Sequence, residues 1–201
     1  HQDAVMVSDG FNLCMTGNNL DDHLRHGVII ENTYGSVVSG NMIEECQGTA
    51  IILDRDCYGN TISANVIAHN GAGVDLRDAH GIAVSANTFT LMTEPALKIG
   101  ESSGRVTVTG NNFCNSYIGE GKVRRNTDDL MAAGIQLQST KNIAISGNVF
   151  SSLQTKAVLV NDSQPQSVLF SNNVLVDVQS DHSALATEPS NNIVGSNIVS
   201  E

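Results

Sequence analysis

Apolar and polar positions recur along this chain at a spacing far longer than the period of a helix or a strand. In "VVSGNMIEECQGTAIILDRD", Val37 to Asp56, two short apolar strands flank a polar corner, and the arrangement returns in other letters along the sequence. Anchored on a small-small-Asn triplet, the corners fall at Asn18, Asn41, Asn65, Asn87, Asn111, Asn148, Asn173 and Asn197, with steps of 23, 24, 22, 24, 37, 25 and 24 residues. Three residues before each Asn stands Met15, Val38, Ile62, Val84, Val108, Ile145, Phe170 or Val194. Two residues after it stands Leu20, Ile43, Ile67, Phe89, Phe113, Phe150, Leu175 or Val199. A second strand follows each corner: "GVIIEN", "AIILDR", "GVDLRD", "ALKIGE", "GIQLQS", "AVLVND" and, more weakly, "ALATEP".

A fixed period with two apolar strands and a polar corner makes each repeat one turn of a coil, so that equivalent residues stack. The pattern predicts an all-β chain, a right-handed parallel β-helix of about eight coils of 22–25 residues. Asn tolerates the left-handed bend between strands, and its amide can pair with the Asn above and below, which predicts an internal Asn ladder. A leucine-rich horseshoe shares the Asn corner and the period, but its L-x-x-L-x-L spacing is absent. Residues 1–201 are expected to form a single β-helix domain, at roughly 4.7–4.9 Å per coil. Neither terminus reads as a cap over the open strand edges, so the chain is expected to be the C-terminal part of a longer helix or to sit against another segment. The one long step places an inserted loop at 114–133, either a wall beside a binding surface or a plain solvated loop, with a short helical turn at "DDLMAA".

Composition narrows the functional classes. The chain is 40% hydrophobic and 15% charged, without an apolar run long enough to span a membrane. Acidic residues outnumber basic ones by 21 to 10, for a net charge of −11, and Lys and Arg form no long run. Nucleic acid is therefore excluded as an expected partner, because phosphate binding rests on clustered cations. Cys14, Cys46, Cys57 and Cys114 show no C-x-x-C or Cys/His ligand spacing and read as unpaired thiols, Cys46 and Cys57 being the only pair close in sequence. Aromatic residues make up 4% and Trp is absent, which leaves few rings to stack on a sugar.

Alternation along the second strands sends one set of side chains outward. The first outward column reads Ile29, Ile52, Asp75, Lys98, Gln136, Leu159, Ala186, and the next Glu31, Asp54, Arg77, Gly100, Gln138, Asn161, Glu188. Charge concentrates in coils two to four, where the turn adds Arg55, Asp56, Asp78, His80 and Glu101. Asp54 and Asp75 are diagonal neighbours, which places them about 7–8 Å apart. That lies within the roughly 6.5–9.5 Å at which two carboxylates act as acid and base in an inverting glycosidase. Arg77, Lys98, Arg55 and His80 would then hold the substrate. Alternatively Lys98 or Arg77 abstracts a proton beside a uronate carboxylate, with Asp56, Asp78 and Glu101 holding Ca²⁺, which is lyase or epimerase chemistry. No metal is required by the first scheme. The same charges, Asp75 under Lys98 and Asp54 under Arg77, also suit a simple ion-paired surface. His23 and His26 in "DDHLRH" read as a metal pair or an exposed polar corner, and His69 and His80 flank the Asp75 strand.

The repeated "VSGN-x-I/F" corner followed by "G-φ-x-φ" resembles the right-handed parallel β-helix superfamily of carbohydrate-active proteins, pectate lyase-like in architecture. The resemblance implies an enzyme of extracellular or cell-surface polysaccharide processing: a glycoside hydrolase, lyase or transferase acting on a polysaccharide or oligosaccharide. It equally admits a non-catalytic tailspike, fibre or adhesin segment. "NMIEECQGTAIIL" and "YIGEGKVRRNTDDLMAAG" resemble inulin fructotransferases, which implies a metal-free homotrimer. Of that family's paired acids only Asp75 has a counterpart here, because Gly40, Ile52 and Ala64 occupy the other places. The polygalacturonase G-H-G and the epimerase D-P-H-D motifs are absent.

Overall fold

The computed structural model describes residues 2–114, 134–153, 155–179 and 181–200. Its regular elements are strands joined at three corners per turn, all paired in parallel. The inserted loop at 114–133 and its helical turn lie, beyond Cys114, outside the described residues.

Each turn contributes one strand to each of three sheets. The first sheet stacks Val5–Ser8, Val28–Glu31, Thr49–Asp54, Ala72–Leu76, Leu97–Ile99, Ile135–Gln138 and Val158–Asn161. The second runs from Cys14–Thr16 to Ile193–Gly195, and the third from Asn19–Asp21 to Ile198–Ser200. In register, Val28 pairs with Ile51, Ile51 with Val74 and Val74 with Leu97. The sheet steps over the long insertion without a slip, Leu97 pairing with Ile135. About seven full turns result, one fewer than the Asn corners suggest. In the last coil "ALATEP" forms no strand, and only Ser183 bridges to Val158. Its alternation is broken by Thr187, Glu188 and Pro189, so Ala186 and Glu188 do not continue the outward columns.

The core is a set of vertical files. Met15, Val38, Ile62, Val84, Val108, Ile145 and Phe170 are all buried, as are Ile43, Ile67, Phe89, Phe113, Phe150 and Leu175. Phe89, Phe113 and Phe150 stack with ring centroids 4.9 and 4.7 Å apart and nearly parallel planes. At the entry to the first sheet stands a file of small residues: Gly27, Ala50, Gly73, Ala96, Gly134 and Ala157. A Cβ on Gly73 would lie 2.1 Å from the Ala96 carbonyl oxygen and 2.9 Å from the Phe89 ring, so the aromatic file leaves no room there.

The Asn ladder satisfies a whole column of buried polar groups. Asn41 donates from Nδ2 to Asn65 Oδ1 at 2.9 Å and to the Met15 carbonyl at 3.0 Å, while its main-chain N–H donates to the same Oδ1 at 3.0 Å. The pattern repeats through Asn65, Asn87, Asn111, Asn148 and Asn173 to Asn197. Each internal amide thus uses two donors and two lone pairs, which removes the cost of burying it. Asn60 and Asn70 perform the same service once each at the other corners, accepting from Ser36 N and Cys46 N.

Candidate functional site

The first sheet places its outward residues as the repeat predicts. Ile29, Ile52, Asp75, Lys98, Gln136 and Leu159 stack in one column, with Glu31 beside Asp54 in the next. Ile52 faces outward yet is only 2% exposed, so flanking side chains close over it. The coils that carry Asp75, Lys98 and Gln136 then open into a hollow of about 400 Å³ lined chiefly by Asp75, Arg77, Lys98, Glu101, Gln136 and Gln138.

Arg77 organises the acids at the edge of this hollow. Its Nε donates to Asp75 Oδ2 at 2.9 Å, and its Nη1 stands 3.9 Å from Asp54 Oδ2. One guanidinium thus stands beside both Asp54 and Asp75. Asp54 also accepts from the Arg55 main-chain N–H at 2.8 Å.

The other cations are not where stacking alone places them. Lys98 lies over Asp75 in register, but its ammonium pairs with Glu94. A lysine is long enough to leave its own column and reach the turn, and that contact lies four residues away in sequence. Arg55 turns back to Glu31, with Nη1 and Oε2 3.2 Å apart. His80 is separate from Asp75 altogether: it stands 3.9 Å from Asp78 and lines a second hollow, of about 430 Å³, with Asp56, Tyr58, Gly59, Gly81 and Arg105. Asp56 and Asp78 meet at that corner, where Asp56 N donates to Asp78 Oδ2 at 2.8 Å, while Glu101 remains in the Asp75 hollow. The three acids expected to hold Ca²⁺ thus divide between two places. Among the described residues no three His, Cys, Asp or Glu side chains gather to hold a metal ion.

The family model for the right-handed β-helix region matches residues 1–113. The chain belongs to the right-handed β-helix family. The same architecture is found in a variant of the periplasmic alginate epimerase AlgG, at 17% identity over 98% of this chain and 48% of that one, with a TM-score of 0.76. It is also similar to the A-module of the Azotobacter vinelandii mannuronan C-5 epimerase AlgE6, at 12% identity over 95% and 58%, with a TM-score of 0.65. A lidless DFA-IIIase from Arthrobacter chlorophenolicus aligns at 16% identity over 92% and 57%, with a TM-score of 0.55. The chain spans about half the length of these structures. No curated protein sequence matches it.

Two features of this β-helix escape its sequence pattern. His26 lies close enough to Asp75 and Arg77 to feel both charges, although "DDHLRH" reads as an isolated corner. Its Nδ1 accepts the Thr49 main-chain N–H at 3.0 Å, and a Cβ on Gly48 would lie 2.6 Å from that nitrogen, so the absent side chain makes room for the ring. Burial pushes the imidazole below its ordinary value, with Arg25 and Arg77 adding to the effect and Asp3 and Asp75 opposing it. The second feature is a file of rings, Phe11, Tyr34 and Tyr58, stacked between the first and second sheets with centroids 5.5 and 4.1 Å apart. Their spacing follows the Asn period, a signal present in the sequence but carried by too few coils to stand out. His69, read as a companion of Asp75, lies at another corner beside Glu45, Cys46 and Asn70.

Proposed function

We propose that this β-helix is a carbohydrate-active enzyme whose substrate lies along the outer face of the first sheet. The observation that carries the reading is Asp75, held by Arg77 at the edge of a hollow that also offers Lys98, Glu101, Gln136 and Gln138. Carboxylates and amides are the groups that hydrogen-bond sugar hydroxyls. A carboxylate fixed by a guanidinium is positioned to accept a proton. In the reaction proposed, Asp75 takes the proton of an attacking water or hydroxyl, and Asp54 supplies one to the departing glycosidic oxygen as the C–O bond breaks.

Charge favours a neutral glycan. Among the described residues, the acids Asp54, Asp75, Glu94 and Glu101 outnumber the cations Arg77 and Lys98 that pair with them, and the chain carries −11 overall. A polyuronate would meet repulsion across this face. A polymeric substrate also fits a location outside the cytoplasm, in the periplasm, in secretion or at the cell surface.

The pairing of Arg77 and Lys98 with acids equally favours a second reading, a non-catalytic glycan-binding or structural coil. The test is incubation with inulin, laminarin, galactomannan, alginate and polygalacturonate, reading new reducing ends and the absorbance of unsaturated products. The enzyme reading expects reducing ends from a neutral polymer, lost in Asp75→Asn with the melting temperature kept within a few degrees. No product from any of the five leaves the structural reading in its place.

A further inference from the structure

The corner between the first and second sheets carries a groove that the Asp75 face does not use. Phe11, Tyr34, Tyr58, His80 and Gly104 stack in one file there, and the next residue of each coil forms a parallel file: Asn12, Gly35, Gly59, Gly81 and Arg105. Every member of this second file is left-handed, from φ 52° at Asn12 through 58°, 64° and 63° at the three glycines to 54° at Arg105. Asn142 and Ser167 continue it at 61° and 56°. The backbone therefore does not demand glycine, since four coils hold the same conformation with a side chain. What distinguishes Gly59 and Gly81 is the empty space: a Cβ there would meet nothing closer than 3.9 or 3.8 Å, whereas one on Gly35 would lie 3.3 Å from Asn12 Oδ1.

The result is a trough with a bare floor at Gly59 and Gly81, walled by Tyr58 and His80 and ended by Arg105, with Asp56 at its rim. Tyr58 is 47% exposed. Arg105 is set against both Asp56 and Asp78 at this corner, so an anionic chain gains little there. An aromatic wall with hydrogen-bonding groups around it matches a ligand with an apolar C–H face and a hydroxyl rim.

We propose that this trough is a saccharide-binding subsite for a neutral glycan chain, distinct from the Asp75 hollow. Sugar rings pack on Tyr58 over the glycine floor, and Arg105, Asp56 and His80 bond their hydroxyls. This binding role stands whether or not the Asp75 face turns a substrate over.

Native gels cast with inulin, laminarin, galactomannan or alginate test it. The chain is expected to be retarded in at least one neutral gel and to migrate freely in alginate. Tyr58→Ala removes the wall, and Gly81→Asn fills the floor with a residue that the same file already accepts at Asn12 and Asn142. Each is expected to weaken the retardation about tenfold with an unchanged circular dichroism spectrum. The second variant keeps the test decisive if the first folds poorly. Free migration in all three neutral gels overturns the proposal, as does stronger retardation by alginate. Undiminished retardation of a folded Gly81→Asn places the affinity outside the trough and also overturns it. Turnover is read separately, so loss of activity in Asp75→Asn bears on the Asp75 hollow and not on the trough.

Discussion

Arg77 Nε donates to Asp75 Oδ2 at 2.9 Å, two residues further along the same outer edge of the coil. The guanidinium is about half exposed, and ion pairs of that kind contribute about 0–1 kcal/mol. Stability is therefore a poor reason for the pair, and positioning of the carboxylate is the better one.

Replacing Arg77 by Lys keeps the charge but loses the planar fork that reaches both Asp75 and Asp54. Turnover of the neutral polymer is expected to fall about 10²-fold, the effect of displacing a catalytic group by about an ångström. The midpoint of urea unfolding should move little. Native turnover in Arg77→Lys removes Arg77 from the mechanism.

The Asn ladder predicts a gradient of cost along one column. Asn87 Oδ1 accepts from both the main-chain N–H and Nδ2 of Asn65, and its own Nδ2 donates to the Ile62 carbonyl and to Asn111, all at 3.0 Å. Asn87→Ala strands several buried groups at about 1–3 kcal/mol each, so a loss of about 3–5 kcal/mol is expected in urea unfolding at constant slope. Asn18 stands at the exposed end, and its main-chain N–H keeps the bond to Asn41 Oδ1 when the side chain is removed. Asn18→Ala should cost less than about 1 kcal/mol. Equal losses at the two ends of the comparison contradict the ladder as the source of stability.

What could be read from the sequence follows from how often a position repeats. The Asn column and its two apolar companions recur in every coil, and they fix both the solenoid and the register that puts Asp75 between Ile52 and Lys98. The last coil failed because "ALATEP" occurs once and breaks its own alternation. Side-chain partners were legible only where the side chain is short. Asp75 stays in its column, whereas Lys98 reaches out to Glu94 and Arg55 back to Glu31. His26 and the Tyr58 trough depend on single coils and on what glycine leaves empty, and absence carries no letter of its own.

The His26 ring gives the site edge a dependence on pH whose sign can be worked out. Only the neutral ring can accept the Thr49 N–H at Nδ1, and burial already holds the folded-state value below the ordinary 6.5. The unfolded chain therefore takes up a proton at higher pH than the folded one does. The stabilisation is fully present above the unfolded value and is lost as pH falls through 6.5 towards the folded one. Proton NMR should show His26 titrating below 6.5, and urea unfolding should show stability declining between pH 7 and pH 5. His26→Gln should flatten that decline, because an amide oxygen can accept the same N–H without titrating. A His26 resonance that titrates at or above 6.5 means that the acids around it, Asp3 and Asp75, outweigh its burial, and the stability slope then reverses.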